Sequence, residues 1–268
     1  MSMLGGERAR AGERPGRGPY VMYASRGTVE CHQALMALSL LAPPRVRLRL
    51  LEPVPREGAW HVDRAHQPRG FSLLARGPRR VDRAPLLWSA SEGGAVATGA
   101  AAVADALARL AGPKGGHALI VRERRVGELV ALVNERLATA LVAGGSGDAD
   151  EAASARRAVA IYLAMFETQL QGRRYLAGER LSLADLALVS VGVRLEAAED
   201  NLWGTCLDGL ERFPSLLAHA RRVAAEPRLA WTFDGEAILC HYFEGYGVRP
   251  PARTIADPAR LKALLAAR

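Results

Sequence analysis

Tyr175-Leu-Ala-Gly-Glu-Arg-Leu-Ser-Leu-Ala-Asp-Leu-Ala187 holds a complete helix start. Ser182 stands at the N-cap, where its hydroxyl can accept from the backbone N–H of Asp185. The Asp185 carboxylate can reach back to the N–H of Ser182. Leu181 and Leu186 flank the pair as a hydrophobic staple. Such a cap contributes about 1 kcal/mol, and the carboxylate complements the positive end of the helix dipole. The role read for Asp185 is structural rather than catalytic. Residues 183–195, which follow, are almost wholly apolar and predict a buried central helix.

Outward from this helix, helical periodicity recurs. Residues 214–225 form an amphipathic helix stopped by Pro227, and residues 154–170 carry Val159, Tyr162, Met165, Phe166 and Leu170 at helical spacing. Residues 126–142 do the same, and the glycine-rich 144–148 is a loop. The first third alternates instead. Residues 20–25 read as a buried strand, followed by a helix that Pro43-Pro44 ends. In Arg45-Val-Arg-Leu-Arg-Leu50 the apolar side chains take one face, and Arg45, Arg47 and Arg49 the other, as in a strand at a sheet edge. Residues 84–88 and 95–97 predict a hairpin turning at Gly93-Gly94, then an alanine-rich helix closes at Gly112-Pro113. Residues 53–83 are rich in Pro, Arg and Gly and predict irregular chain. The expected organisation is a basic tail over residues 1–18, an α/β domain over 19–112, an all-helical domain over 126–232 and an extension over 233–268.

Those motifs resemble the glutathione transferase family. The stretch 175–187 is similar to the cap that opens the core helix of its C-terminal domain, and Phe213-Pro-Ser-Leu-Leu-Ala-His219 to the helix after it. Ala84-Pro85-Leu86-Leu87 resembles the strand of a thioredoxin-like domain that carries a cis proline. The resemblance spans roughly residues 20–231. It implies a thioredoxin-like N-terminal domain packed on a helical bundle, with glutathione in the groove between them. It places the thiolate-stabilising hydroxyl at Thr28, with Ser25 and Tyr23 as neighbouring candidates. A threonine hydroxyl can donate to a thiolate at a helix N-terminus. The glutathione-binding positions it implies are Pro85, Leu86, Thr98, Gly99 and Ala100. In the family an acidic residue and a serine hold the charged γ-glutamyl end; here Gly99 and Ala100 stand in their places, and neither has a polar side chain.

Composition narrows the classes further. Hydrophobic residues make up 49% and charged residues 24%, which excludes a disordered chain. No apolar run approaches the ~18 residues of a membrane span, and residues 1–18 lack the apolar core of a secretory signal. The net charge is +8, and residues 1–83 hold 15 arginines against 7 acidic residues, so all the excess lies there. Such a lobe suits an anionic surface, RNA or lipid headgroup, with Arg45, Arg47 and Arg49 as contacts. A rival explanation is compositional, since arginines number 34 and lysines two. Cys31, Cys206 and Cys240 are few and far apart, which predicts no disulfide framework and a reducing intracellular compartment, cytoplasm or mitochondrion. His61 and His66 match no strong zinc pattern, so no metal is expected. The four tryptophans are expected in cores.

The leading functional expectation is a non-catalytic pseudoenzyme of this fold, without cofactor, serving as a protein-interaction subunit of a larger complex or as a homodimer. The alternative is an active glutathione transferase or glutathione-dependent isomerase using Thr28 or Ser25. The extension beyond residue 233 is expected to dock on a partner or to cover the groove.

Overall fold

The computed structural model describes residues 20–65, 67, 77–115, 119–195, 203, 209–245, 263 and 265–266. The tail over 1–18, His66, His117, Cys206 and most of a helix expected at 258–267 lie outside them. Among the described residues the chain begins with β1 (Tyr20–Ser25), α1 (Val29–Leu41) and β2 (Val46–Leu51), and β2 runs parallel to β1. β3 (Trp60–His61) and β4 (Arg80–Val81) form a separate two-residue pair inside the stretch expected to be irregular. β5 (Leu86–Ser89) and β6 (Gly94–Thr98) make the expected hairpin, turning at Gly93, whose φ of +74° suits glycine. The sheet order is β2-β1-β5-β6, with β5 antiparallel to both neighbours. α2 (Ala100–Gly115) then packs beside α1 on one face, completing a thioredoxin-like domain.

The period-two rule sorts β1 between two cores. Tyr20, Met22 and Ala24 join the main core with α1 and α2. Val21 and Tyr23 point to the other face and join Leu51, Val81 and Leu86 in a small second core. β2 is an edge strand, as its charges predict, and Arg45 and Arg47 are exposed. Arg49 departs from the expected charged face. It is buried, donates to Tyr23 Oη and to the carbonyls of Gly77 and Pro78 at 3.3 Å each, and lies over the Tyr23 ring. The chain over 77–81 folds across that face and covers it, so Arg49 is not an anion contact.

The helical part opens with α3 (Arg124–Ala131), continues without a break through a π-wound stretch, Leu132–Ala138, and ends as α4 (Thr139–Ala143). Periodicity predicted one uniform helix here. The wider turn carries Asn134, whose carboxamide exchanges hydrogen bonds with Gln33 of α1 at 2.7 and 3.2 Å, joining the two domains. α5 (Ala149–Leu170) is capped by Asp148. Its buried stripe is Ala152, Val159, Leu163, Phe166 and Leu170. Met165, expected in that stripe, is 39% exposed because a shift of one residue turns a side chain about 100° away.

α6 (Leu183–Gly192) is the central helix: every residue in it is buried. The capping box between Ser182 and Asp185 is present. Leu186 lies in the main core, and half-buried Leu181 packs against that core. α7 (Pro214–Ala224) follows, and Glu167 of α5 accepts from its first N–H groups at Ser215 and Leu216. α8 (Gly235–Gly245) belongs to the extension. Trp231, expected in a core, is 44% exposed and donates to Ser39 Oγ at 3.1 Å. Among the described residues no helix is long and apolar enough to cross a membrane.

Candidate functional site

The β1–α1 junction brings the site residues together. Thr28 is the N-cap of α1: its backbone is extended and its Oγ1 accepts from Cys31 N at 3.2 Å. The side chain is half-buried. As the cap uses one lone pair, the hydroxyl proton stays available to a ligand. The register Tyr23↔Leu86 carries the cis Ala84-Pro85 bond alongside the end of β1. Gly99 N donates to Pro85 O at 3.0 Å, so α2 starts directly beyond that bond. Thr28, the Pro85 turn and the first residues of α2 therefore lie at one end of the sheet.

Two of the three expected hydroxyls are elsewhere. Tyr23 is fully buried on the second core's face, and its Oη accepts from Arg49. Burial pushes its phenol pKa up, with the Arg49 charge opposing. Ser25 is fully buried too; its Oγ accepts from Gly27 N at 3.1 Å and donates to Pro53 O at 3.4 Å. β1's alternation sends Tyr23 away from α1, and the turn after β1 uses Ser25. Thr28 alone of the three occupies the helix start. Leu86 likewise sends its side chain into the second core, so only its backbone faces the Pro85 turn. Thr98 pairs with Leu86 inside β6, which fixes the register: Gly99, with φ of +81°, and buried Ala100 open α2.

Cys31 lies one turn inside α1, fully buried. Burial pushes its thiol pKa up to about 11, with Thr28 among the groups opposing, which favours the protonated thiol at neutral pH. Neither Cys31 nor Cys240 is in a disulfide. No group of three or more His, Cys, Asp or Glu among the described residues could hold a metal ion.

The residue that sequence reading missed is Arg194. Two residues beyond α6, it is fully buried and spans the domains. Its guanidinium donates to Gly27 O at 2.9 and 3.1 Å, Thr28 O at 3.0 Å, Arg26 O at 3.3 Å and Ser190 O at 2.5 Å, and contacts His32 Nδ1 at 3.1 Å. A planar five-donor fork suits three consecutive carbonyls, and lysine could not reproduce it. The one signal in the sequence was a lone arginine in an apolar run.

The extension covers this loop. Arg26 pairs with Asp234, and His241 Nδ1 lies 3.0 Å from Pro53 O. A Cβ on Gly27 would come within 2.6 Å of His241 Cβ and 2.9 Å of Ala237 O. Glycine at 27 is what lets α8 approach so closely. Ala237 and His241 of α8 therefore pack on the chain's own site loop.

Two histidines in this region are held neutral. Burial and the Arg194 charge lower His32 well below its usual pKa. Burial lowers His241 to about 4, against the Pro53 carbonyl. Both folded pKa values lie below the unfolded one, so the unfolded chain binds more protons as the pH falls. Their stability contribution should be full above pH ~6.5 and fall as pH drops toward 4. Urea midpoints from pH 8 to pH 4 check this. His241→Gln should flatten part of the decline.

Residues 123–227 match the model of the glutathione S-transferase C-terminal domain. Among solved structures the fold is similar to a Xi-class enzyme from Natrialba magadii (18% identity, TM-score 0.72, covering 95% of this chain and 87% of that one). It is similar to a glutathione-bound glutathione transferase homologue from Escherichia coli K-12 (20%, 0.73, 94% and 90%). It is also similar to the Xi glutathione transferase of Saccharomyces cerevisiae in complex with glutathione (13%, 0.72, 92% and 95%). No curated protein sequence matches. The fold is that of a glutathione transferase, a thioredoxin-like domain followed by the helical domain of that family. Over residues 123–227 the chain thus matches the glutathione S-transferase C-terminal domain family, and as a whole it shares the fold of glutathione transferases.

Proposed function

We propose that the chain is an active thiol-dependent transferase of the glutathione transferase type, in which Thr28 stabilises the thiolate of a bound thiol cosubstrate. One observation carries this reading: a half-buried hydroxyl caps α1 beside the Pro85 turn, on a loop held from behind by Arg194. The helix N-terminus and that hydroxyl both favour a negative sulfur. The thiolate would attack an electrophilic carbon, forming the C–S bond while the leaving group departs with its electron pair. The proton lost from the thiol goes to solvent. Glutathione-bound relatives of the same fold support a thiol ligand of this general size.

Titration of protein-bound glutathione by thiolate absorbance tests the reading. The bound thiol should ionise below the ordinary thiol value of about 8.5. Thr28→Val should return it by about one unit while removing a cap worth about 1 kcal/mol. Thr28→Ser should keep most of the effect. A second reading, a non-catalytic subunit of an assembly, is favoured by Gly99 and Ala100, which offer no side-chain donor or acceptor to a charged ligand. Failure of the full chain to bind any thiol, with a partner co-purifying at fixed stoichiometry, would select it.

A further inference from the structure

The turn after α5 and the first part of α7 flank an open cleft of about 520 Å³. Arg173 and Arg174 line it from the turn, Ser215, Ala218 and Arg222 from α7, and Leu170 from the end of α5. It shares no residue with the β1–α1 junction. Its volume falls within the ~300–1,000 Å³ usual for small-molecule sites.

The arginines of this cleft are placed as donors. Arg222 Nη1 donates to Arg174 O at 2.7 Å, which ties α7 to the turn and leaves most of that guanidinium's N–H groups for another acceptor. The Arg174 guanidinium lies over the Tyr175 ring, 5.6 Å from its centroid. That ring meets buried His219 edge-on, and His219 lies 2.9 Å from Asp185, so the platform under Arg174 is anchored in the core. Stacking on a ring occupies the face of a guanidinium and leaves its N–H edge open. Elsewhere on the surface arginines meet carboxylates: Arg56 meets Glu52, Arg109 meets Asp105 and Arg228 meets Glu226. Among the described residues none of Arg173, Arg174 and Arg222 does, and no lining residue is acidic. Glu167, behind the start of α7, is engaged by Ser215 N and Leu216 N at 2.9 and 2.8 Å.

Three guanidiniums around one cleft repel one another, and a bound dianion relieves that repulsion. Planar N–H forks match the oxygens of a phosphate, and the Ser215 hydroxyl adds a donor. Leu170 and Ala218 give the remaining volume an apolar side. We propose that this cleft binds the phosphate group of a small phosphorylated molecule, at a site separate from the thiol site and independent of the thiol reading.

Calorimetric titration of the full chain at low ionic strength tests this, because salt screens exposed charges. The probes are ribose phosphate, inorganic phosphate, ribose, acetate, and phosphatidylcholine vesicles doped with phosphatidic acid. Ribose phosphate should bind once per chain, ribose should not bind, and acetate should bind about tenfold or more weakly. R173Q and R222Q should each weaken ribose phosphate about tenfold, the loss of one charge-assisted contact. R157Q, about 20 Å away along α5, should leave the affinity unchanged. Arg157, Arg173 and Arg222 are all exposed, and thermal melts check that the variants are folded. Tighter binding of ribose phosphate than of inorganic phosphate shows that the carrier is read as well, and equal binding shows that phosphate alone is read; both support the proposal. Failure of both phosphates to bind, a preference for inorganic phosphate or acetate, or binding to the vesicles alone overturns it. So does an unchanged affinity in R173Q and R222Q, or an equal loss in R157Q.

Discussion

Arg194→Met should lower the unfolding free energy by about 3–5 kcal/mol, the range for breaking a buried, fully hydrogen-bonded charged group. The carbonyls of Gly27 and Thr28 and the Ser190 carbonyl would each lose a donor in a place water reaches poorly. A urea midpoint reads the loss. At ~2–4 °C per kcal/mol for a chain of this size, it also appears as a drop in Tm of roughly 10 °C. Arg194→Lys should recover little, because one ammonium cannot meet carbonyls on three consecutive residues. Any protein that remains folded should also show the bound thiol ionising at higher pH, since the loop presenting Thr28 has lost its tether. An Arg194→Met protein as stable as the parent would mean that the domains set this loop by other contacts.

Asp185→Ala should cost a similar 3–5 kcal/mol for a different reason. The Asp185 carboxylate is fully buried and collects four donors. Oδ2 accepts from Ser182 N at 2.8 Å and Ser182 Oγ at 2.5 Å; Oδ1 accepts from Leu176 N at 2.8 Å and lies 2.9 Å from His219 Nε2. An exposed cap is worth about 1 kcal/mol, but here removal strands donors from three segments in the core. Asp185→Asn should fall between, because its NH₂ cannot accept from Ser182. Chemical denaturation of the three proteins at one pH gives the order. A loss near 1 kcal/mol for the alanine variant would show that Asp185 acts only as a local cap.

Asp185 also marks how far local sequence reaches. The Ser182–Asp185 box and the leucines around it were legible because both partners lie within one turn. Its bonds to Leu176 N and His219 were not, since they join residues 9 and 34 positions away. The same divide separates the candidates at the β1–α1 junction. Thr28 was legible as a hydroxyl at a helix start. Tyr23 and Ser25 looked equivalent until the strand's alternation and the loop at Pro53 assigned one to the second core and the other to the turn.

The sequence alone determined the order of the four strands of the main sheet and of the helices up to α7, the buried central helix and its cap. Each depends on residues within a few positions of one another, where periodicity, capping and turn chemistry are strong. Tertiary structure alone decided that Arg49 is buried, that Arg194 holds the Thr28 loop, that Arg222 meets the Arg174 carbonyl and that α8 covers Gly27. Those contacts cross between segments up to 214 residues apart. Their energy depends on which groups share a water-poor space once the domains close, and linear spacing carries no record of that.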